Sequence, residues 1–91
     1  MQDGVIDRPG PDGRRGRYEL AVDGHVAFAE YRIEDGRMIF PHTKVPPALE
    51  GRGVGTRLVK AALADARARG FEIVPECGFV AACVRRYPAD K

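Results

Sequence analysis

The chain contains no serine, no asparagine and no tryptophan. Without serine there is no serine nucleophile, and without asparagine there is no acceptor for N-glycosylation. No apolar run approaches the roughly 20 residues that a membrane-spanning helix needs, and the polar start Met1–Gly4 is unlike a signal peptide. We therefore expect a cytoplasmic protein with no membrane partner.

Cysteine and histidine are scarce, with two of each in 91 residues. A closed zinc site would need His25, His42, Cys77 and Cys83 together, and none of their spacings resembles a pair of zinc ligands. The sequence therefore predicts no metal site. A disulfide between the cysteines is not expected either, because the cytoplasm is reducing.

The size and the charge of the chain limit the number of domains and the kinds of partner that it can have. A mass of 10.0 kDa is enough for one domain, and 15 basic against 13 acidic residues give a net charge of +2 and a pI near 8.7. A nucleic-acid-binding domain usually has a pI above about 9 and clustered charge. An RNA-binding function would depend on the arginine content alone, without the exposed aromatics that stack on bases. We do not expect a nucleic-acid partner.

The first segment differs in composition from the rest. Residues 1–13 are rich in glycine and proline and have few large apolar residues. Such a segment buries too little to order itself, so it is expected to be a flexible or loosely docked lead-in. Residues 14–91 are then the single folded domain.

Hydrophobic periodicity predicts the elements of this domain. A period of two indicates three strands, joined by Asp-Gly turns, at Arg17–Val22, His25–Glu34 and Arg37–Thr43. A helical stripe follows Gly55 and ends at Gly70, and the C-terminal part holds a short strand, Phe71–Val74, and a helix near Phe79–Arg86. The fold class is α/β (α+β), in the order β-β-β-α-β-α, with a mixed, largely antiparallel sheet. The helical connection predicts that the third and fourth strands are parallel if they are neighbours.

The most informative stretch is a glycine-rich loop between the third strand and the first helix. Gly51, Gly53 and Gly55 alternate with Arg52 and Val54, and Thr56 follows. Glycine allows the backbone to approach a ligand closely, and a helix N-terminus offers free N–H groups to an anion. The loop lacks the lysine of a nucleoside-triphosphate loop and the spacing of a dinucleotide fingerprint. It predicts a phosphate site; the alternative is a glycine-rich turn without a ligand.

Several separated motifs then resemble one family. The stretch Glu50–Gly55 resembles motif A of the GNAT acetyltransferase superfamily, Q/R-x-x-G-x-G/A, although glutamate stands in its first position. His42–Pro47, Val74–Cys77 and Phe79–Ala82 follow the order found in minimal, single-domain GNAT-like N-acetyltransferases. The resemblance extends from Tyr18 to Pro88. It implies a GNAT-like sheet and acetyl-CoA (CoA) as the cofactor, bound between the third and fourth strands.

The resemblance also implies which residues bind acetyl-CoA. The backbone of Thr43, Lys44 and Val45 would hold the thioester and the pantetheine arm. The loop residues Gly51, Arg52, Gly53, Val54, Gly55 and Thr56 would hold the pyrophosphate. Cys83 occupies a position where close relatives often have tyrosine, so a tyrosine acid is not identified there.

Two residues are candidates for catalysis. Cys77 precedes the last helix, whose N-terminus would favour the thiolate, and a nucleophilic acetyl relay through it is one hypothesis. The alternative is a small residue that packs the start of the helix. His42 ends the third strand and is a candidate base for an amine or for Cys77, the alternative being a histidine bonded to the backbone.

The predicted function is transfer of an acetyl group from acetyl-CoA to an unidentified amine. An open acceptor side would admit an amine of a protein or peptide. The alternative is a non-catalytic module that binds or senses acyl-CoA, which the lack of a clear acid–base pair favours.

Overall fold

One five-stranded sheet organises the molecule. The structure is a computed structural model that describes residues 4–88. Its elements are β1 (Ile6–Pro9), β2 (Arg15–Val22), β3 (His25–Glu34), β4 (Arg37–Lys44), a 3-10 turn (Pro47–Leu49), α1 (Val54–Ala68), β5 (Glu72–Pro75) and α2 (Gly78–Arg86). The strands lie in sequence order, with antiparallel pairs from β1 to β4 and a parallel pair of β4 and β5. The mixed, largely antiparallel sheet and the parallel pair are therefore confirmed.

The first strand corrects the predicted order of elements, which becomes β-β-β-β-α-β-α. Strand β1 lies within the segment expected to be a flexible or loosely docked lead-in, of which residues 1–3 lie outside the described part. Val5 is buried, the Tyr31 hydroxyl donates to Asp7 at 2.6 Å, and Arg69 donates to the same carboxylate at 3.0 Å. These partners are distant in sequence, so local composition does not reveal them.

The two Asp-Gly turns have the predicted geometry. Asp23 and Gly24 have φ of 50° and 80°, and Asp35 and Gly36 have φ of 52° and 76°. Two successive positive φ values match the twist of an antiparallel hairpin. The turns fix the register of β2, β3 and β4, and hence which side chains face the core.

Both helices pack on the same face of the sheet. The α1 stripe is buried as predicted, helices α1 and α2 contact each other, and both contact β4 and β5. The strand residues of the core share this face: Tyr18, Leu20, Ala27, Ala29, Tyr31, Met38 and Phe40. Because side chains alternate along a strand, Arg17, Phe28 and Glu30 lie on the opposite face, which is free of helices within residues 4–88.

A polar network links the N-terminal strand to the end of α1. The Tyr18 hydroxyl, fully buried, donates to Asp65 at 2.7 Å, and Arg69 donates to both Asp65 and Asp7. Burial, and then the hydrogen bonds to Asp65 and Asp7, raise the pKa of Tyr18 and Tyr31 above the ordinary tyrosine value. Both hydroxyls therefore keep their protons in the folded chain at a pH where free tyrosine ionises.

We predict a loss of stability at alkaline pH from these tyrosines. Because the folded pKa values of both tyrosines are raised, their contribution to the free energy of unfolding is complete below about pH 10. Above about pH 10 this contribution is lost progressively, because the tyrosines of the unfolded chain ionise. Each tyrosine should lower the free energy of unfolding by about 1.4 kcal/mol per pH unit in that range. Urea unfolding against pH measures this, with Tyr31→Phe as the variant whose slope should be shallower. Identical slopes for the variant and the unaltered protein would contradict the prediction.

Gly16 of β2 has no room for a Cβ, whose nearest neighbour would be the Tyr31 hydroxyl oxygen at 2.6 Å. A Cβ there would lie 2.7 Å from the Arg8 carbonyl oxygen and 2.8 Å from the Pro9 Cα, both backbone atoms. We predict that Gly16→Ala lowers the free energy of unfolding by about 1–3 kcal/mol, the usual cost of overpacking. The matched control is Gly78→Ala, since a Cβ at Gly78 meets nothing within 4 Å. Equal stability of the two variants in urea would contradict the close approach.

Candidate active site

Strands β4 and β5 separate partway along their length. Their last pair is Phe40 with Pro75, and β4 continues beyond it to Lys44 while remaining paired with β3. The register between β3 and β4 shifts here, so that Phe40 and Pro41 of β4 stand opposite Tyr31 alone. Such a bulge bends a strand. Pro41 of β4 and Pro75 of β5 also have no N–H group that could continue the hydrogen bonding between the strands. An opening therefore begins at the bulge, between β4 and the start of α2.

The glycine-rich loop forms a hollow beside this opening. The hollow has a volume of about 300 Å³ and is lined by Val45, Leu49, Glu50, Gly51, Gly53, Val54, Gly55, Thr56 and Phe79. Gly51 and Gly53 have φ of 77° and 72°, and a Cβ on either would meet nothing within 4 Å. The loop thus takes a left-handed backbone that favours glycine, and it leaves the space above that backbone open.

Helix α1 begins at this hollow with its N-terminus unoccupied by any side chain. Its N-cap is Gly53, which makes no side-chain hydrogen bond, and its first turn contains no acidic residue. The first N–H groups of a helix lack partners within the helix and carry the positive end of its dipole. Although the Glu50 carboxylate also lines the hollow, the helix N-terminus makes the α1 side of it suited to an anion.

Gly55 connects the hollow to the opening. A Cβ on this buried glycine would lie 3.0 Å from Phe79 Cζ and 3.1 Å from Val45 Cγ2. Val45 follows β4, and Phe79 lies in the first turn of α2. These two apolar side chains therefore both lie over the start of α1, between the loop and the point where β4 and α2 face each other.

Cys77 stands at that point as the N-cap residue of α2. Its backbone N–H donates to the Phe40 carbonyl at 2.9 Å, and its thiol donates to the Thr43 hydroxyl at 3.8 Å. Burial acts to raise the pKa of the thiol and is the largest single influence. The backbone N–H groups of Val80 and Phe79 and the Thr43 hydroxyl outweigh it by stabilising the thiolate, so the pKa of Cys77 lies below its ordinary value.

Cys83 has the opposite character. It is buried within α2, and burial raises the pKa of its thiol. Both cysteines are free. Of the two, only Cys77 combines partial exposure with a lowered pKa.

His42 is not brought to Cys77. It pairs directly with Glu30, and its ring lies edge-on to Phe28 at 6.1 Å between centroids, on the helix-free face. Thr43, the next residue, contacts Cys77 on the other face, since successive strand residues point in opposite directions. The arrangement gives no support to His42 as a base for the thiol and leaves it accessible to an amine on the open face.

The other residues nominated from the sequence divide into two groups. Val45, Gly51, Gly53, Val54, Gly55 and Thr56 line the hollow, and Thr43 lies at the thiol. Arg52 instead extends to Asp23 at 2.9 Å, and Lys44 is exposed on the strand opposite Phe28. Neither side chain lines the hollow.

The sequence analysis missed Phe79 as a residue of the site. It is 41% exposed although it is large and apolar, and it lines the hollow with Val45. Val80 and Cys83 carry the buried stripe of α2, and Phe79 lies off that stripe. The sequence offered one signal for this residue: a large apolar side chain in the first turn of a helix, beside the buried stripe and not within it.

A comparison with protein families identifies the family of the chain. The model of the family described as GCN5-related N-acetyl-transferase matches residues 17–91, which is most of the chain. Neither helix within residues 4–88 combines the length and the apolar character needed to cross a membrane. The match over residues 17–91 shows that the chain belongs to the GCN5-related N-acetyltransferase family.

Proposed function

We propose that this protein binds acetyl-CoA and transfers its acetyl group to an amine. The observation that carries the proposal is the order of three features: the open N-terminus of α1, the apolar side chains of Val45 and Phe79 beside it, and the thiol of Cys77 at the start of α2. One end suits an anion, the middle is apolar, and the other end holds a thiol whose pKa is lowered. The three environments follow the same order as the diphosphate, the pantetheine arm and the thioester of acetyl-CoA.

The residues of these three features fit the three parts of that ligand. The free N–H groups of Val54, Gly55 and Thr56 would bind the pyrophosphate, as helix N-termini do for phosphates. Val45 and Phe79 would cover the pantetheine arm and exclude water from it. The strand edge beyond the bulge, at residues 42–45, would bind the amides of the arm and the thioester carbonyl.

Acetyl-CoA supplies an acetyl group activated as a thioester. In the route that we propose, the Cys77 thiolate attacks the carbonyl carbon, the bond from that carbon to the CoA sulfur breaks, and CoA leaves as a thiolate that takes up a proton. The acceptor amine then attacks the acetyl-cysteine, the bond to Sγ breaks, and the amine proton passes to a base. The thiolate of Cys77 is regenerated.

A direct route uses fewer residues of the chain. The amine attacks the thioester without an acyl-cysteine, and His42 takes its proton on the helix-free face. Here the contribution of the protein is chiefly to hold the amine beside the carbonyl. The two routes differ in whether Cys77 becomes acetylated in the absence of an amine.

The second candidate function is binding of acyl-CoA without turnover. The observation in its favour is that no histidine or carboxylate contacts the Cys77 thiol within residues 4–88. A thiol-release assay with acetyl-CoA and a panel of amines separates the two functions, because only an enzyme releases CoA in proportion to the amine.

Ligand-linked stability tests the binding step itself. A ligand that binds only the folded chain adds about 2.7 kcal/mol at a hundredfold its Kd. For a domain of this size we predict a rise of about 10 °C or more in the melting temperature with CoA. ATP is the control, since it offers phosphates without a pantetheine arm and should give a smaller rise. Equal shifts with CoA and ATP would indicate a general anion site instead.

A further inference from the structure

The helix-free face of the sheet carries a groove of about 680 Å³. Its floor is formed by side chains of β2 and β3, with Arg8 of β1 on one side. Pro41, in the bulge where β4 parts from β5, lies at the other side. The groove therefore reaches the opening from the face opposite to the helices and the glycine loop.

Most of the charges in this groove are paired with each other. Glu19 accepts hydrogen bonds from Arg8 and Arg17, each at 2.7 Å. Arg32 donates to Glu34 at 3.2 Å. Arg8, Arg17 and Glu19 together keep a net charge of +1, whereas Arg32 and Glu34 balance each other.

Two further charges of opposite sign lie outside these ion pairs. Arg15 and Glu30 both line the groove, and neither forms an ion pair or a side-chain hydrogen bond within residues 4–88. In the register of β2 and β3, Glu30 stands opposite Arg17 and Arg15 stands opposite Arg32. Arg15 and Glu30 are thus diagonal neighbours on one face, at a separation of about 7–8 Å or slightly less.

Glu30 is the charge nearer to the opening. It pairs across to His42 on β4, next to Pro41 of the bulge, whereas Arg15 lies farther along the groove. A cation held by Glu30 is therefore close to the imidazole that is available as a base. An anion held by Arg15 is directed away from the opening.

We propose that the groove binds the acetyl acceptor as a zwitterion, a small molecule or short peptide with both an amine and a carboxylate. Glu30 receives the amine beside His42, and Arg15 receives the carboxylate. This assignment rests on the proposed function, because it names the substrate of that same site. A diamine would satisfy Glu30 and leave Arg15 without a partner.

Two matched acceptors test the proposal. Free lysine and 1,5-diaminopentane carry the same terminal amine and differ by the carboxylate. The variants are Arg15→Gln and Glu30→Gln, and Arg85→Gln is the control because Arg85 is exposed on α2, outside the groove. The measurements are KM in steady-state turnover, the Kd of CoA, and the Kd of each acceptor from NMR titration of the protein with and without CoA.

The proposal expects a distinct result for each variant. Arg15→Gln should raise the Kd and KM of lysine by on the order of tenfold, as for the loss of one charge-assisted bond, and leave those of diaminopentane unchanged. Glu30→Gln should weaken both acceptors. Neither variant should change the Kd of CoA. Equal effects of Arg15→Gln on the two acceptors, or lysine-induced shifts outside the groove, would overturn the proposal.

The NMR titration distinguishes a failure of this proposal from a failure of the proposed function. If the protein binds lysine in the groove but neither binds CoA nor transfers acetyl groups, the transferase function fails and the zwitterion site stands. If acetyl transfer proceeds and lysine causes no shift at Arg15 or Glu30, the transferase function stands and the acceptor groove is wrong.

Discussion

Replacing Thr56 by glutamate should abolish CoA binding while leaving helix α1 at least as stable as before. Thr56 is the third residue of α1, lines the hollow, and lies in a first turn that contains no acidic residue. A carboxylate there interacts favourably with the helix dipole and can accept bonds from the free N–H groups. The same carboxylate would repel a pyrophosphate, and two unit charges 4 Å apart interact by about 4 kcal/mol at an effective dielectric constant of 20. We expect the affinity to fall by on the order of 100-fold or more.

Thr56→Gln is the matched control, because it adds a side chain of similar length without the charge. It should weaken CoA binding much less than Thr56→Glu does in calorimetry, and thermal unfolding should show both variants folded. Undiminished CoA affinity in a folded Thr56→Glu protein would mean that the pyrophosphate does not bind at α1. Gly53→Val is a poorer test, because a φ of 72° strains any valine there and mixes a folding defect with a binding defect.

Replacing Cys77 by serine should remove acetyl transfer and the acetyl-enzyme together, if the relay operates. Serine keeps an oxygen that can cap α2, so the helix should retain its N-terminus. It supplies no thiolate at neutral pH, and turnover should fall by on the order of 100-fold or more. Mass spectrometry after incubation with acetyl-CoA alone should find an acetyl group on the unaltered protein and none on Cys77→Ser. Full turnover by Cys77→Ser or Cys77→Ala would establish direct transfer instead.

Cys83 provides the comparison within the same helix. Cys83 is buried and its pKa is raised, so alkylation of the native protein should modify Cys77 first. Saturating CoA should protect Cys77, because the arm would reach the thiol beside Thr43. Equal alkylation rates for the two thiols would show that the thiolate at Cys77 is not accessible.

The sequence predicted those parts of the fold that depend on local patterns. The Asp-Gly turns, the period of two in β2–β4 and the α1 stripe are short-range signals, and the structure confirms them. Strand β1 was missed because its order depends on Asp7 bonding to Tyr31 and Arg69, residues far along the chain. Composition in a short window carries no information about such partners.

The site divides in a similar way. The glycine loop was recognisable because backbone conformation dictates glycine, and the family resemblance supplied Val45 and Thr56, which also line the hollow. Arg52 and His42 were assigned by proximity in sequence, and their side chains instead reach Asp23 and Phe28. The position of a backbone segment was therefore predictable, whereas the direction of a long side chain at its surface was not.

The two outermost strands have a further consequence for the behaviour of the chain at high concentration. Strands β1 and β5 each have four residues and each ends in a proline. Short, proline-terminated edges offer few unpaired backbone groups to a strand of another molecule, and Arg8 places a charge on one of them. Within residues 4–88, strands β1 and β5 are therefore poor templates for edge-to-edge aggregation, even though one face of the sheet is left uncovered.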